Sequence, residues 1–268
     1  MPELPEVQTV LDTLKLQIQD LEIKDIKVLY KSIIDSPTLT FKRQLKGQHF
    51  RGFKRRGKYL LFEMDDVTFV SHLRMEGKYF IKKHNEPIDK HTHVIFCLDN
   101  GYDLRYNDVR KFGRMELIDK KDNYDDFKNL GPEPFSNKFN KEYVENYLSK
   151  SIKPIKEVLL DQNFVSGLGN IYADEVLFDI GVMPTRKANQ LSLEEIDKLI
   201  LSIRKILKKA IKAGGTTIRS YTSSLGVTGR FQLKLNVHTK KICPKCGNDI
   251  KKIRVGGRGT YYCLMCQK

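Results

Sequence analysis

The chain opens Met1-Pro2-Glu3-Leu4-Pro5-Glu6, and this stretch holds the most reactive grouping in the sequence. If Met1 is trimmed, Pro2 becomes the terminus and carries a secondary amine; α-amino groups titrate at about 7.7–8.0. Such an amine, once deprotonated, attacks an aldehyde-level carbon and forms an iminium, as lysine amines do. Glu3 stands next to it and can donate or shuttle a proton. The same residues also suit the start of a helix, because proline fits the first helical position and acidic side chains fit the positive end of the dipole. The two readings are compatible, since a helix start can present a catalytic terminus.

A second grouping lies at the other end: Cys243-Pro244-Lys245-Cys246 and Cys263-Leu264-Met265-Cys266. Two CxxC pairs at this separation predict a four-thiolate zinc site, and a redox dithiol would need only one of them. All four positions are taken by protein, so the zinc is expected to be structural, stiffening a hairpin with little core of its own. The fifth cysteine, Cys97, sits in the apolar run Val94–Leu98 and reads as a buried strand residue without chemistry. Gly167-Leu168-Gly169-Asn170 reads as a tight turn with Asn170 capping the next helix, and amides at such a start attract phosphate. His49, His72, His84, His93 and His238 show no metal-like spacing.

These groups need elements to hold them. Val7, Val10, Leu11, Leu14, Ile18 and Leu21 form one face of a leading helix. From Ile23 to about Ile118 the pattern becomes short β-type runs: 26–30, 48–55, 59–63, 67–73, 77–81, 93–98, 102–106 and 114–117, with Asp65-Asp66 and Asn100-Gly101 as hairpin turns. Runs of this length and spacing predict a β-sandwich or barrel. Gly131-Pro132-Glu133-Pro134 marks an interdomain linker. Helical periods follow over 140–148, 154–162 and 170–178. Ser192-Leu193-Glu194-Glu195 is a capping box that opens a long amphipathic helix ending at Gly214-Gly215. The boundaries expected are 1–130 for the β-sandwich, 131–136 for the linker, 137–232 for a helical domain and 233–268 for a zinc ribbon.

Lys and Arg number 48 against 33 Asp and Glu, a formal net charge of +15. A surplus of this size favours a polyanionic partner, nucleic acid before an anionic membrane. No apolar run approaches the roughly 20 residues of a membrane span, and no secretory leader is recognisable, which predicts a cytoplasmic protein.

Six segments, in order along the whole chain, resemble the formamidopyrimidine-DNA glycosylase family: MPELPEV at the start, Arg55–Glu63, Ser71–Tyr79, Val109–Glu116, Gly167–Phe178 and the terminal cysteine ribbon. The resemblance implies an α+β multidomain fold: an N-terminal β-sandwich with a leading helix, a helix–two-turn–helix domain and a zinc ribbon, with damaged duplex DNA held in a basic cleft. It implies a base-excision enzyme, acting as a monomer, that removes oxidised purines through an N-terminal proline Schiff base and nicks the strand by β,δ-elimination. Structural zinc is its only expected cofactor. By position, Pro2 matches the family's nucleophile and Glu3 its neighbouring acid, with Glu6 in a supporting role. Lys58 matches a lysine of the elimination steps, and Arg258 an arginine that grips phosphate and serves the second elimination. Asn170, His91, Arg110 and, by a looser alignment, Lys153 match DNA contacts. Met75, Arg110 and Phe112 match the trio that fills the gap left by an extruded base, a step that costs a few kcal/mol of unstacking. Asp108 and Glu76 lie nearby and are expected to orient neighbouring cations.

Two rival readings remain at this stage, an endonuclease VIII-like enzyme for oxidised pyrimidines and a catalytically inactive binder of damaged DNA. The PELPEV start and the Arg110–Phe112 wedge favour the purine enzyme, and Pro2, Glu3, Lys58 and Arg258 together disfavour the binder. Glu175 is expected to be a solvated or capping carboxylate. Asn236-Val237-His238-Thr239-Lys240 departs from the family, which more often has an aromatic residue followed by glycine there. The segment Thr216–Gly229 matches a base-capping loop in placement, with an undiagnostic tip.

Overall fold

The computed structural model describes residues 1–120, 124–216 and 230–268. They pack as two units, one built on Met1–Tyr124 that also takes in Gly214 to Thr216, the other on Asp125–Ala213 and Phe231–Lys268.

In the first unit, helix α1 (Leu4–Ile18) begins with a proline in its first turn and Glu6 at its positive end. Val7, Val10, Leu11, Leu14 and Ile18 are all buried on the expected stripe, whereas Leu21 lies past the helix end. The strands are β1 (Ile23–Val28), β2 (Gly52–Arg56), β3 (Tyr59–Glu63), β4 (Val67–His72), β5 (Lys78–Lys83), β6 (Thr92–Leu98), β7 (Tyr102–Asn107) and β8 (Arg114–Asp119). They form two four-stranded antiparallel sheets, β1-β6-β7-β5 and β2-β3-β4-β8. The expected sandwich is thus present, its core a mixture of aliphatic side chains and phenylalanines such as Phe62 and Phe69, which stack at 5.2 Å between centroids. Strand β6 is buried almost throughout, as befits a central strand, while edge strand β5 carries lysines that discourage further pairing.

Helix α2 (Thr38–Leu45) escaped the sequence reading and lies where only β-type runs were expected. Only Phe41 and Leu45 of its eight residues are buried, and its N-cap is Pro37, which supplies no side-chain cap. Two apolar positions four apart do not make a visible helical period.

The second unit contains α3 (Lys141–Ser149), α4 (Ile155–Leu160), α5 (Asn170–Ile180), α6 (Leu193–Lys212) and the hairpin of β9 (Ile250–Val255) with β10 (Arg258–Cys263). Ser192 and Glu195 close the expected capping box at the start of α6. Helix α5 packs against α6 and β10. The segment 131–136 is tied into this unit: Gly131 N–H donates to Gln162 O at 2.8 Å, Ser166 N–H to Pro132 O at 3.1 Å and Arg204 Nε to Pro134 O at 2.8 Å. Among the described residues no helix is long and apolar enough to cross a membrane.

Candidate functional site

The reactive start of the chain is enclosed. Pro2 is buried, Glu3 and Glu6 are each 3% exposed, and Met1 is exposed. Glu3 is the N-cap of α1, and the two glutamates close a reciprocal box: Glu3 N–H donates to Glu6 Oε2 at 2.9 Å while the Glu3 side chain accepts from the Glu6 backbone. The other oxygen of Glu6 accepts the N–H and the hydroxyl of Thr216 at 2.8 and 3.0 Å. Gly215, at φ +73°, passes so close that a Cβ would lie 2.8 Å from Glu6 Oε1. Glu6 therefore ties the helix start to the root of the expected base-capping segment, whose residues 217–229 lie outside the described ones.

Lys58 sits in the two-residue turn between β2 and β3, where Arg56 pairs with Tyr59 and Gly57 adopts φ +56°. It is 6% exposed. Arg55 holds the turn to α1 by donating from Nη1 to Gly57 O at 2.8 Å and from Nε to Gln8 Oε1 at 3.0 Å.

The expected wedge is presented by a turn organised on Asp108. This carboxylate is 1% exposed and accepts the N–H groups of Arg110, Phe112 and Gly113 at 3.0, 2.9 and 2.8 Å. Its expected role was to orient cations; it orients backbone amides instead. Lys111 takes φ +57° to make the reversal. Phe112 is left 47% exposed with the Arg110 guanidinium 4.7 Å above its ring. The turn bearing Met75 packs on the same support, because a Cβ at either Gly77 or Gly113 would run into the Tyr106 hydroxyl. Asp108 N–H also donates to His91 O at 3.0 Å, and His91, Asp108, Glu76 and Lys78 line a cleft of about 590 Å³. Met75, His91, Arg110 and Phe112 thus share one support.

In the second unit, Lys153 and Arg258 are exposed and line one groove of about 590 Å³ with Tyr143, Tyr147 and Glu157. Asn170 does not cap its helix: Gly169 is the N-cap, and Asn170 Nδ2 donates to Gly259 O at 2.9 Å, next to Arg258. Beneath lies a group that sequence reasoning missed. Lys156, wholly buried, bonds Asp174 Oδ1 at 2.6 Å and Thr260 Oγ1 at 2.8 Å. Nothing marks Lys156 in the sequence; a lysine beside the buried Ile155, Val158 and Leu159 of α4 reads as a surface residue.

Glu175 is not the solvated carboxylate expected. It is 1% exposed and accepts the N–H groups of Asn236, Val237 and His238 at 2.8, 2.9 and 2.9 Å. The departure at His238-Thr239 has a local explanation. The imidazole packs edge-on against Tyr261 at 4.9 Å and bonds Asp174 Oδ2 at 2.7 Å, so it does the work of an aromatic ring. Thr239 occupies φ +62°, a conformation glycine adopts more readily.

The four ribbon cysteines converge, with Sγ separations of 3.8 Å for Cys243 and Cys266 and 3.5 Å for Cys246 and Cys263. Tetrahedral Zn–S bonds of about 2.3 Å require sulfurs about 3.8 Å apart, so the donor set fits zinc. The site is structural, since every position of the tetrahedron is filled by protein.

Comparison with known proteins gives a consistent result over the whole chain. The Formamidopyrimidine-DNA glycosylase N-terminal domain matches residues 1–115, the Formamidopyrimidine-DNA glycosylase H2TH domain 130–222, and the zinc finger found in FPG and IleRS 241–268. The formamidopyrimidine-DNA glycosylases of Bacillus licheniformis and Bacillus subtilis are each 48% identical to the chain, covering all of it and 100% and 99% of their own lengths. Among solved structures, a Lactococcus lactis FPG mutant in complex with a Fapy-dG containing DNA is similar at TM-score 0.95 and 43% identity, with both chains fully covered. The Lactococcus lactis Fpg with an abasic site containing DNA is similar at TM-score 0.94 and 43% identity, with 99% of each chain covered.

Proposed function

The chain belongs to the formamidopyrimidine-DNA glycosylase family, and on that footing we propose that it excises oxidised purines, 8-oxoguanine and formamidopyrimidines, from duplex DNA and then nicks the strand. The observation that carries this reading is the enclosed start of the chain, where Pro2 sits buried beside a glutamate pair that is itself locked in place.

With Met1 removed, the Pro2 nitrogen attacks the anomeric carbon of the damaged nucleoside. The glycosidic bond breaks and the base leaves with a proton. Glu3 supplies the proton that opens the sugar ring, which leaves an iminium between Pro2 and the sugar. Lys58 serves proton transfer in the eliminations that expel first the 3′ and then the 5′ phosphate, after which water hydrolyses the iminium, freeing Pro2 and leaving the unsaturated sugar remnant as an aldehyde. Met75, Arg110 and Phe112 occupy the gap left by the extruded nucleotide; an aromatic wedge, a forked cation and a flexible thioether suit that task. His91, Lys153, Asn170 and Arg258 hold phosphates, and Arg258 also serves the second elimination. The zinc ribbon fixes the hairpin that carries Arg258. The partner is damaged double-stranded DNA, bound by one chain, in the cytoplasm and on the bacterial chromosome.

Borohydride reduction during turnover tests this reading. Duplexes carrying 8-oxoguanine should give a covalent adduct that peptide mapping places on Pro2, in higher yield than duplexes carrying an oxidised pyrimidine. An adduct on an internal side chain, or preferential trapping with the pyrimidine lesion, would overturn it.

A further inference from the structure

We propose that His84, Cys97 and Asp103 form a second metal site, for a borderline-soft divalent cation of the zinc class, on the outer face of the β1-β6-β7-β5 sheet. The proposal is independent of the DNA chemistry above and of the cysteine ribbon, which lies in the other unit.

Sheet register brings the donors together. Cys97 on β6 pairs with Asp103 on β7, so the two side chains stand side by side on one face. Lys82 of β5 pairs with Asp103 from the other side, and His84 follows β5 directly. One donor atom from each of the three residues lies within 4.8 Å of the others. The imidazole Nδ1 of His84 is already 2.6 Å from Asp103 Oδ1. Sequence spacing conceals this arrangement, because the three residues belong to three different stretches of chain. It also corrects the expectation for Cys97, which is partly exposed rather than buried.

Asp103 is held for the purpose. Arg105, 2% exposed, donates to Asp103 Oδ2 from Nε at 3.1 Å and from Nη2 at 2.9 Å. Arg105 is itself fixed by the carbonyls of Lys83, Glu86 and Pro87 at 3.0, 3.0 and 2.9 Å. One carboxylate oxygen is thus occupied and the other is turned toward His84. A buried ion pair contributes little net stability compared with apolar packing, so the geometry it imposes better accounts for its presence. An outer hydrogen bond that aims a ligand carboxylate is also what metal sites employ.

Thiolate, imidazole and carboxylate are the donors zinc takes, at about 2.0–2.3 Å, and three protein ligands leave a fourth position to water. The His84 side chain is 45% exposed, which gives an ion a way in. Asp103 and a Cys97 thiolate balance a dication, and Arg105 stays outside the coordination sphere. The other four cysteines are committed to the ribbon, so Cys97 has no disulfide partner in its own unit.

The test is metal content after equilibrium dialysis of the full-length, untagged protein against micromolar zinc, with cobalt(II) as the spectroscopic probe. Wild type should retain about two equivalents, one in the ribbon and one here. Cys97→Ser and His84→Ala should each retain about one equivalent while still melting cooperatively. Cobalt added to wild type that carries a single equivalent of zinc, in the ribbon, should produce a thiolate-to-cobalt charge-transfer band that Cys97→Ser lacks. Retention of only one equivalent by wild type would overturn the proposal. So would a second equivalent, or the same band, that persists in Cys97→Ser, since the metal would then be bound elsewhere. Asp103 is left unaltered because its removal would strand Arg105.

Discussion

Glu6 and Thr216, 210 residues apart in the chain, are joined through one carboxylate oxygen that takes both the backbone N–H and the hydroxyl of the threonine. The other oxygen takes the N–H of Glu3. The carboxylate therefore links the reactive start of the chain to the root of the 217–229 segment. Glu6→Gln would set an amide N–H against one of these donors. Leaving a buried donor unsatisfied costs about 1–3 kcal/mol, which denaturant unfolding would register. Base release should fall further than cleavage of DNA that already carries an abasic site, because only the former needs the damaged base held. Equal losses in both assays would show that Glu6 serves only folding.

Pro2→Gly, or a protein with Met1 retained, should lose base release by more than about a hundredfold, as expected when a nucleophile is removed. Binding to DNA carrying a non-cleavable abasic analogue should be largely spared, since the proposed phosphate contacts lie on other residues. Turnover by a blocked terminus at the normal rate would remove Pro2 from the chemistry.

Asp108→Asn should loosen the proposed wedge without touching Pro2, the proposed nucleophile. The carboxylate accepts from Phe112 and Gly113 at 2.9 and 2.8 Å, and an amide can keep only part of that set. A stability loss of about 1–3 kcal/mol is expected. A fluorescent base analogue opposite the lesion should report weaker unstacking, and excision should recover when the lesion faces a gap. A normal fluorescence change would confine Asp108 to folding.

Asp65 gives a pH dependence with a definite sign. Partial burial pushes its carboxyl up, but hydrogen bonds from Arg51 and His49 outweigh this and hold the value at about 2, below the usual 3.8. The folded value lies below the unfolded one, so the stabilisation is present above about pH 4 and is lost as pH falls toward 2. The side chains are partly exposed and screened by solvent, so the contribution is at most about 1 kcal/mol. Asp65→Asn should melt slightly below wild type at pH 6, with the two curves converging between pH 4 and 2. A constant gap across that range would exclude the linkage.

The sandwich was legible because its strands are short β-type runs and its turns carry glycine or paired aspartates. Tyr59–Glu63 was read at its observed bounds, since Gly57 and Asp65-Asp66 punctuate it on both sides. The ribbon was legible because cysteine spacing is itself a coordination rule. Apart from α2, what escaped was polar and buried. Glu175 and Lys156 look like surface charges in sequence, and their partners at Asn236–His238 and Thr260 lie more than sixty residues away. Hydrophobic period finds the faces that exclude water; it carries no information about a charge whose partner arrives from another element. The same holds for His84, Cys97 and Asp103, which only sheet register unites.

Lys156 and Asp174 supply the most demanding case, because both side chains are wholly buried. Removing one partner strands the other charge, at a cost of about 3–5 kcal/mol. Lys156→Met should therefore destabilise the protein by that order. It should also release Thr260 and Gly259, which follow Arg258 on β10 and are now held by the same ammonium. Asp174 keeps its contact with His238 when Lys156 is replaced, whereas Asp174→Asn takes the carboxylate from a buried ammonium, so Asp174→Asn should cost at least as much as Lys156→Met. The double variant should recover part of the loss, as neither charge then remains alone. A double-mutant cycle by urea unfolding, run beside the salt dependence of DNA binding, separates the two roles. If the hub positions Arg258, Lys156→Met should flatten the salt slope by about one phosphate contact, and restored stability in the double variant should not restore that slope. If both recover together, the pair acts on stability alone.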